Sequence, residues 1–190
     1  MPELLDLLEG MKAAASRLPV EGSAFSPLDD DQLMRAQSAL ADIGQRISAS
    51  AAANAGEIAW RSRPDLGYAG LAQRTGARTP ESLVQQLTGS TGREAATLVR
   101  VGKVMQEAEF VPPAPESDTA TAEAAPAPWD GTGTAWLAPV GRAVAAGRLP
   151  VTGADAIRTG LGTPSETVTI AMLTAAAERL VVEAADLNAD

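Results

Sequence analysis

The sequence contains no cysteine and no histidine. These two absences together remove disulfides, thiolate and imidazole metal ligands, and nucleophilic catalysis of the Ser-His or Cys-His kind. Aromatic residues make up only 3%, with Tyr68 the sole tyrosine, and lysine occurs only at Lys12 and Lys103. No apolar run is long enough to span a bilayer, and the acidic start MPELLDLLEG is not a secretory signal. A cytoplasmic location with no membrane partner is the expectation.

What is abundant is alanine, and arginine as the basic residue, a balance that suggests a high-GC genome. The 190 residues suit one domain able to bury a substantial core. The formal net charge is −9, unevenly spread. Residues 1–56 carry four basic and eight acidic groups, residues 57–105 seven and four, and residues 106–190 four and twelve. Only the centre can attract phosphate.

That central stretch also holds clear helix signals. Thr79-Pro80-Glu81 supplies an N-cap oxygen, a proline whose missing N–H is harmless at the first helical position, and a carboxylate near the positive end of the dipole. A helix is predicted from about Pro80 to Leu87, with Gly89 ending it. Thr91-Gly92-Arg93-Glu94 then reads as a capping box that starts a second helix. At 100° per residue, Ala95, Leu98, Val99, Gly102 and Met105 share one side of it, while Arg93 and Arg100 lie opposite, with Lys103 near them. Two short helices, a Gly-containing turn and a basic outer face make a helix-turn-helix-like hairpin. The competing reading is an ordinary helical hairpin with solvated arginines.

Around this centre the periodicity is helical throughout. Leu4, Leu8, Met11, Ala15 and Leu18 predict an amphipathic helix over residues 3–18. After a break at residues 19–27, the acidic run from Asp29 to Asp31 suits a helix start, and Leu33, Leu40, Ile43, Ile47, Ala51 and Ile58 keep the period to about Arg61. This is the longest predicted helix, and Ala49 to Ala53 would let a neighbour approach closely. Trp60-Arg61-Ser62-Arg63-Pro64 reads as a turn, followed by a short helix ending near Gly76. Tyr68 is expected to pack in the core or the hairpin rather than serve as a base-stacking platform.

Residues 111–128, rich in Pro, Ala and acidic groups, offer little to bury and read as a loop or linker. Trp129 and Trp136 are expected to anchor the chain's return to the core. Pro139 fits the first turn of the next helix and Gly147 the position after its end. A short helix capped by Thr152 follows within residues 149–161. Thr163-Pro164-Ser165-Glu166 reads as a capping box opening a last amphipathic helix to about Ala185, carried by Val168, Met172, Leu173, Ala176, Leu180 and Val181. The predicted fold is all-α: one helical domain over residues 1–190, a multi-helix bundle with one long central helix.

Chemistry is sparse. Gly160-Leu161-Gly162 follows no predicted strand and reads as a helix C-cap rather than a phosphate loop. Asp29, Asp30 and Asp31 are explained by capping, so no metal site is assigned. Lys103, beside Arg100 on a predicted exposed face, is not assigned as a nucleophile. No catalytic residue and no cofactor are assigned to this chain.

The order of a long alanine-rich helix, LGYAGLAQRTG, TPESLVQQLTGSTGREAATLVRVGKVM, LAPVGRAVAAGRLPVTGADAIRTGL and a last amphipathic helix resembles the actinobacterial domain of unknown function 222. The resemblance covers roughly Leu28 to Leu187. Gly67-Tyr68, Arg93-Glu94-Ala95 and Ala146-Gly147-Arg148-Leu149 carry it best. In that family the domain typically precedes an HNH endonuclease module, so the resemblance implies an accessory domain linked to DNA. A nuclease module and its divalent metal are expected beyond residue 190, in a longer protein of which this is a truncated or degenerate copy. HNH chemistry needs a histidine to activate water, which this chain cannot supply. Relatives often carry a histidine where this sequence has Thr152-Gly153-Ala154.

Two partner expectations follow. One is weak, sequence-tolerant contact with DNA through Arg74, Arg78, Arg93, Arg100 and Lys103. The other is a helical interaction or self-association module without nucleic-acid contact, which the net charge and the small residues on helix faces favour.

Overall fold

Asp29 opens the longest helix of the chain. Its Oδ1 accepts the Gln32 N–H at 2.8 Å while Gln32 Oε1 accepts the Asp29 N–H at 3.1 Å, so two amides that a helix start leaves unpaired are satisfied reciprocally. The computed structural model describes residues 2–110 and 134–187. Among them there are eight α-helices and no strand: α1 (Pro2–Ala15), α2 (Asp30–Trp60), α3 (Leu71–Arg74), α4 (Pro80–Thr88), α5 (Gly92–Phe110), α6 (Ala138–Ala145), α7 (Val151–Leu161) and α8 (Ile170–Leu187). Short 3-10 turns occupy Gly22–Phe25, Pro64–Ala69 and Ala135–Leu137. The protein is an all-α helical bundle with one long helix, as the periodicities require. The Pro/Ala-rich stretch 111–128 and Trp129 fall outside the described residues.

The chain divides into two compact units, Met1–Ala41 and Asp42–Asp190. In the first, every described side chain from residue 3 to residue 24 is exposed. Helix α1 stops at Ala15, short of residue 18, because the N–H groups of Arg17 and Leu18 turn back three residues, to the carbonyls of Ala14 and Ala15. Leu18 therefore leaves the apolar stripe of α1.

In the second unit α5 packs against α4, α6 and α7. The main core joins Ala49 and Ala52 of α2, Val101 and Val104 of α5, Val140 and Val144 of α6, and Leu173, Ala177 and Val181 of α8. Trp136 is 2% exposed within it, the anchor its position implied. A smaller cluster brings Ala55 and Ala59 of α2 onto Val84, Ala95 and Val99. The close approach expected at the alanine run is made to α5. A Cβ on Gly56 would lie 2.6 Å from the Gly102 carbonyl, and one on Gly102 would overlap the Ala52 carbonyl oxygen. Backbone meets backbone, so only glycine fits at either position.

Three further expectations are corrected. Helix α8 begins at Ile170, not near Pro164. Ser165 and Val168 instead close a small loop, the Ser165 N–H donating to the Val168 carbonyl and the Val168 N–H to Ser165 Oγ, and the Thr169 hydroxyl caps the helix through the Met172 N–H. A serine side chain that satisfies its own loop competes with helix here. Helix α7 is entered from Pro150, whose backbone is extended and whose carbonyl accepts the Ala154 N–H, so Thr152 sits exposed inside the first turn and caps nothing. Tyr68 is 95% exposed rather than packed, because Gly67 at φ 48° breaks the 3-10 turn just before it.

Candidate functional site

The turn after α2 is built by local hydrogen bonding. Ser62, the one buried polar residue among the described residues, donates to the Ile58 carbonyl and accepts the Ala72 N–H, which ties the end of α2 to α3. Pinned beside it, the Arg63 guanidinium lies 4.1 Å from the centre of the Trp60 ring. Its Nη1 donates to the Trp60 carbonyl at 3.1 Å and its Nε to Asp65 Oδ2 at 3.0 Å. Contact with the ring face and two hydrogen bonds hold this planar cation in one orientation.

Next to this stack, α4 starts under a reciprocal cap, with the Ser82 N–H on Thr79 Oγ1 and the Thr79 N–H on Ser82 Oγ. The Ser82 hydroxyl stands at the third helical position, where a glutamate or glutamine usually reaches back. Between the end of α2, the Pro64–Ala69 turn, the head of α4 and the middle of α5 lies a cavity of about 920 Å³. Arg63, Arg78 and Lys103 line it with Trp60, and so do the carboxylates Asp65 and Glu81. The positive end of the α4 dipole lies at its rim.

The basic residues expected to act together are only partly brought together. Arg78 is exposed and Lys103 half-buried, and both line the cavity. Arg74, in the last turn of α3, and Arg93, in the first turn of α5, are exposed and do not line it. Arg100 is turned away from the cationic face. It grips Asp155 of α7, with Nε on Oδ1 at 2.8 Å and Nη2 on Oδ2 at 2.7 Å, while Thr97 Oγ1 donates to the same carboxylate. The bond from Arg100 holds the Asp155 carboxyl below its ordinary value, and the same bond raises Arg100. The α4–α5 hairpin is present, and its α5 cap is as the sequence implied: Thr91 Oγ1 accepts the Glu94 N–H and Glu94 Oε2 the Thr91 N–H. That backbone bond lowers the Glu94 carboxyl from its ordinary value.

No protein-family model, curated protein or solved structure matches the chain.

The site is therefore judged on its own chemistry. Sequence reasoning missed Trp60 and Arg63, which it treated as turn residues. Trp60 ends α2 and Arg63 lies beyond it in extended backbone, so no helical spacing linked the two, and the turn alone brings them together. Among the described residues, no group of three or more acidic side chains is placed to hold a metal.

Proposed function

We propose that this chain is the non-catalytic accessory domain of an HNH-endonuclease-type protein, and that it helps position the nuclease by holding DNA phosphates at the cavity between α2, α4 and α5. One observation carries this reading: Arg78 and Lys103, far apart in sequence, line one cavity with Arg63 in the only net-positive segment of an acidic chain. Asp65 and Glu81 in the same wall keep the local charge low, so the contact is weak and salt-sensitive. The test is fluorescence anisotropy with a labelled duplex at low ionic strength. Two phosphates neutralised give a log-log salt slope of about −1.8. Binding should vanish in the Arg78→Glu/Lys103→Glu double variant. No binding at low salt, or binding indifferent to the double variant, overturns the reading.

A second reading, a self-associating helical module, has its own support. Leu33, Leu40, Ile43 and Ile47 follow the three- and four-residue spacing of an interhelical stripe along α2, and each is at least 36% exposed. On α1, Leu4, Leu8 and Met11 are exposed in the same spacing. Light scattering during gel filtration checks it. A dimer that persists on dilution and dissociates in Leu40→Glu/Ile47→Glu favours this reading, and a clean monomer at high concentration removes it.

A further inference from the structure

The make-up of the cavity says more than that it attracts phosphate. Asp65 orients Arg63 and Glu81 lies at the positive end of α4, so the wall sets two carboxylates beside the cations Arg78 and Lys103. A nucleotide fits such a mixed wall. Its phosphate takes the cations, its base offers ring or amino N–H groups to the carboxylates, and its flat face needs a flat partner. That partner is present, because Arg63 is held over Trp60 at 4.1 Å, fixed by its bonds to the Trp60 carbonyl and to Asp65. A volume of about 920 Å³ is that of a small-molecule pocket and has room for one base with its sugar and phosphate. A base inside a duplex keeps its faces stacked on its neighbours and cannot enter such a cavity, whereas an unpaired one can.

We infer that the cavity takes one unstacked nucleobase against the Trp60–Arg63 pair, with its flanking phosphates on Arg78 and Lys103, and that the bound nucleic acid is single-stranded DNA. This rests on the nucleic-acid reading above and specifies its substrate.

Anisotropy at low salt with a labelled mixed-sequence 12-nucleotide strand, set beside its duplex, tests it. The strand should bind at least ten-fold tighter than the duplex. Trp60→Leu should weaken the strand by about 5- to 150-fold, the worth of one stacked base, and leave the duplex unchanged. If Trp60→Leu does not fold, indole quenching by the added strand, present in wild type and lost in Trp60→Phe, decides the same point. Equal affinity for strand and duplex, both lost in Arg78→Glu/Lys103→Glu, overturns the base slot and leaves the phosphate reading standing. Binding of neither overturns both. Displacement of the labelled strand by deoxycytidine monophosphate at the same concentration as by unlabelled strand overturns the single-strand assignment, since the cavity would then serve a free nucleotide.

Discussion

Arg100 and Asp155, fifty-five positions apart, meet through a two-pronged bond with Nε–Oδ1 at 2.8 Å and Nη2–Oδ2 at 2.7 Å, and so tie α5 to α7. The side chains are 35% and 17% exposed, which places the pair between a surface bridge and a buried one. A planar fork on a carboxylate is the strong geometry for such a bond, and Thr97 fills a further acceptor site on the same carboxylate.

Replacing Asp155 by alanine should therefore destabilise the fold by about 1–3 kcal/mol, because Arg100 loses its acceptor in a partly desolvated place. Arg93→Ala should leave the unfolding midpoint where it is. The pH dependence has a definite sign. The carboxyl of Asp155 is held below its ordinary value in the folded protein, first by the bond from Arg100. Its contribution is thus fully present above the unfolded carboxylate value of about 3.9 and is lost as the pH falls through the lower folded value. The gap in stability between wild type and Asp155→Asn should be constant from pH 6 to pH 8 and narrow only in acid, below about pH 4. Urea titrations across that range check it, and a gap that widens toward low pH would contradict the pairing.

Glycines in the two longest helices should respond to alanine with opposite signs. Gly102 has no room for a Cβ because the Ala52 carbonyl and the Gly56 backbone occupy the space. Gly102→Ala should cost about 1–3 kcal/mol, since α2 and α5 must separate to admit the methyl group. A Cβ on Gly44 meets nothing within 4 Å, so Gly44→Ala should stabilise α2 by about 0.5–1 kcal/mol through helix propensity. Denaturant unfolding of both variants checks the contrast, and equal shifts would mean that the helices are not in backbone contact.

The start of α8 separates two threonines. Thr169 caps the helix through the Met172 N–H, so Thr169→Ala should cost about 1 kcal/mol. Thr163 lies outside the helix and is exposed, and Thr163→Ala should not change the midpoint. The reverse result would place the helix start at Pro164.

Much of the fold was open to inspection in the linear order of residues. The all-α class, the 31-residue helix α2, and the reciprocal cap of Thr91 with Glu94 each depend on neighbours within a turn or two of one another. Periodicity and capping are local, and a sequence displays local interactions directly. The glycine at position 102 could be assigned to the packed face of α5 for the same reason.

Only tertiary structure decided what those faces meet. Arg100 and Lys103 are neighbours on one helix, yet α7 offers a carboxylate to the first while the end of α2 and the head of α4 enclose the second. Trp60 and Arg63 line one cavity with Arg78 and Lys103, across forty residues, where the Ser62 bonds fold the turn back on α3. Conversely, α1 has the apolar stripe of a packed helix and buries none of its described side chains. Periodicity reports which side of a helix is apolar, and the identity of its partner is a property of the packed chain.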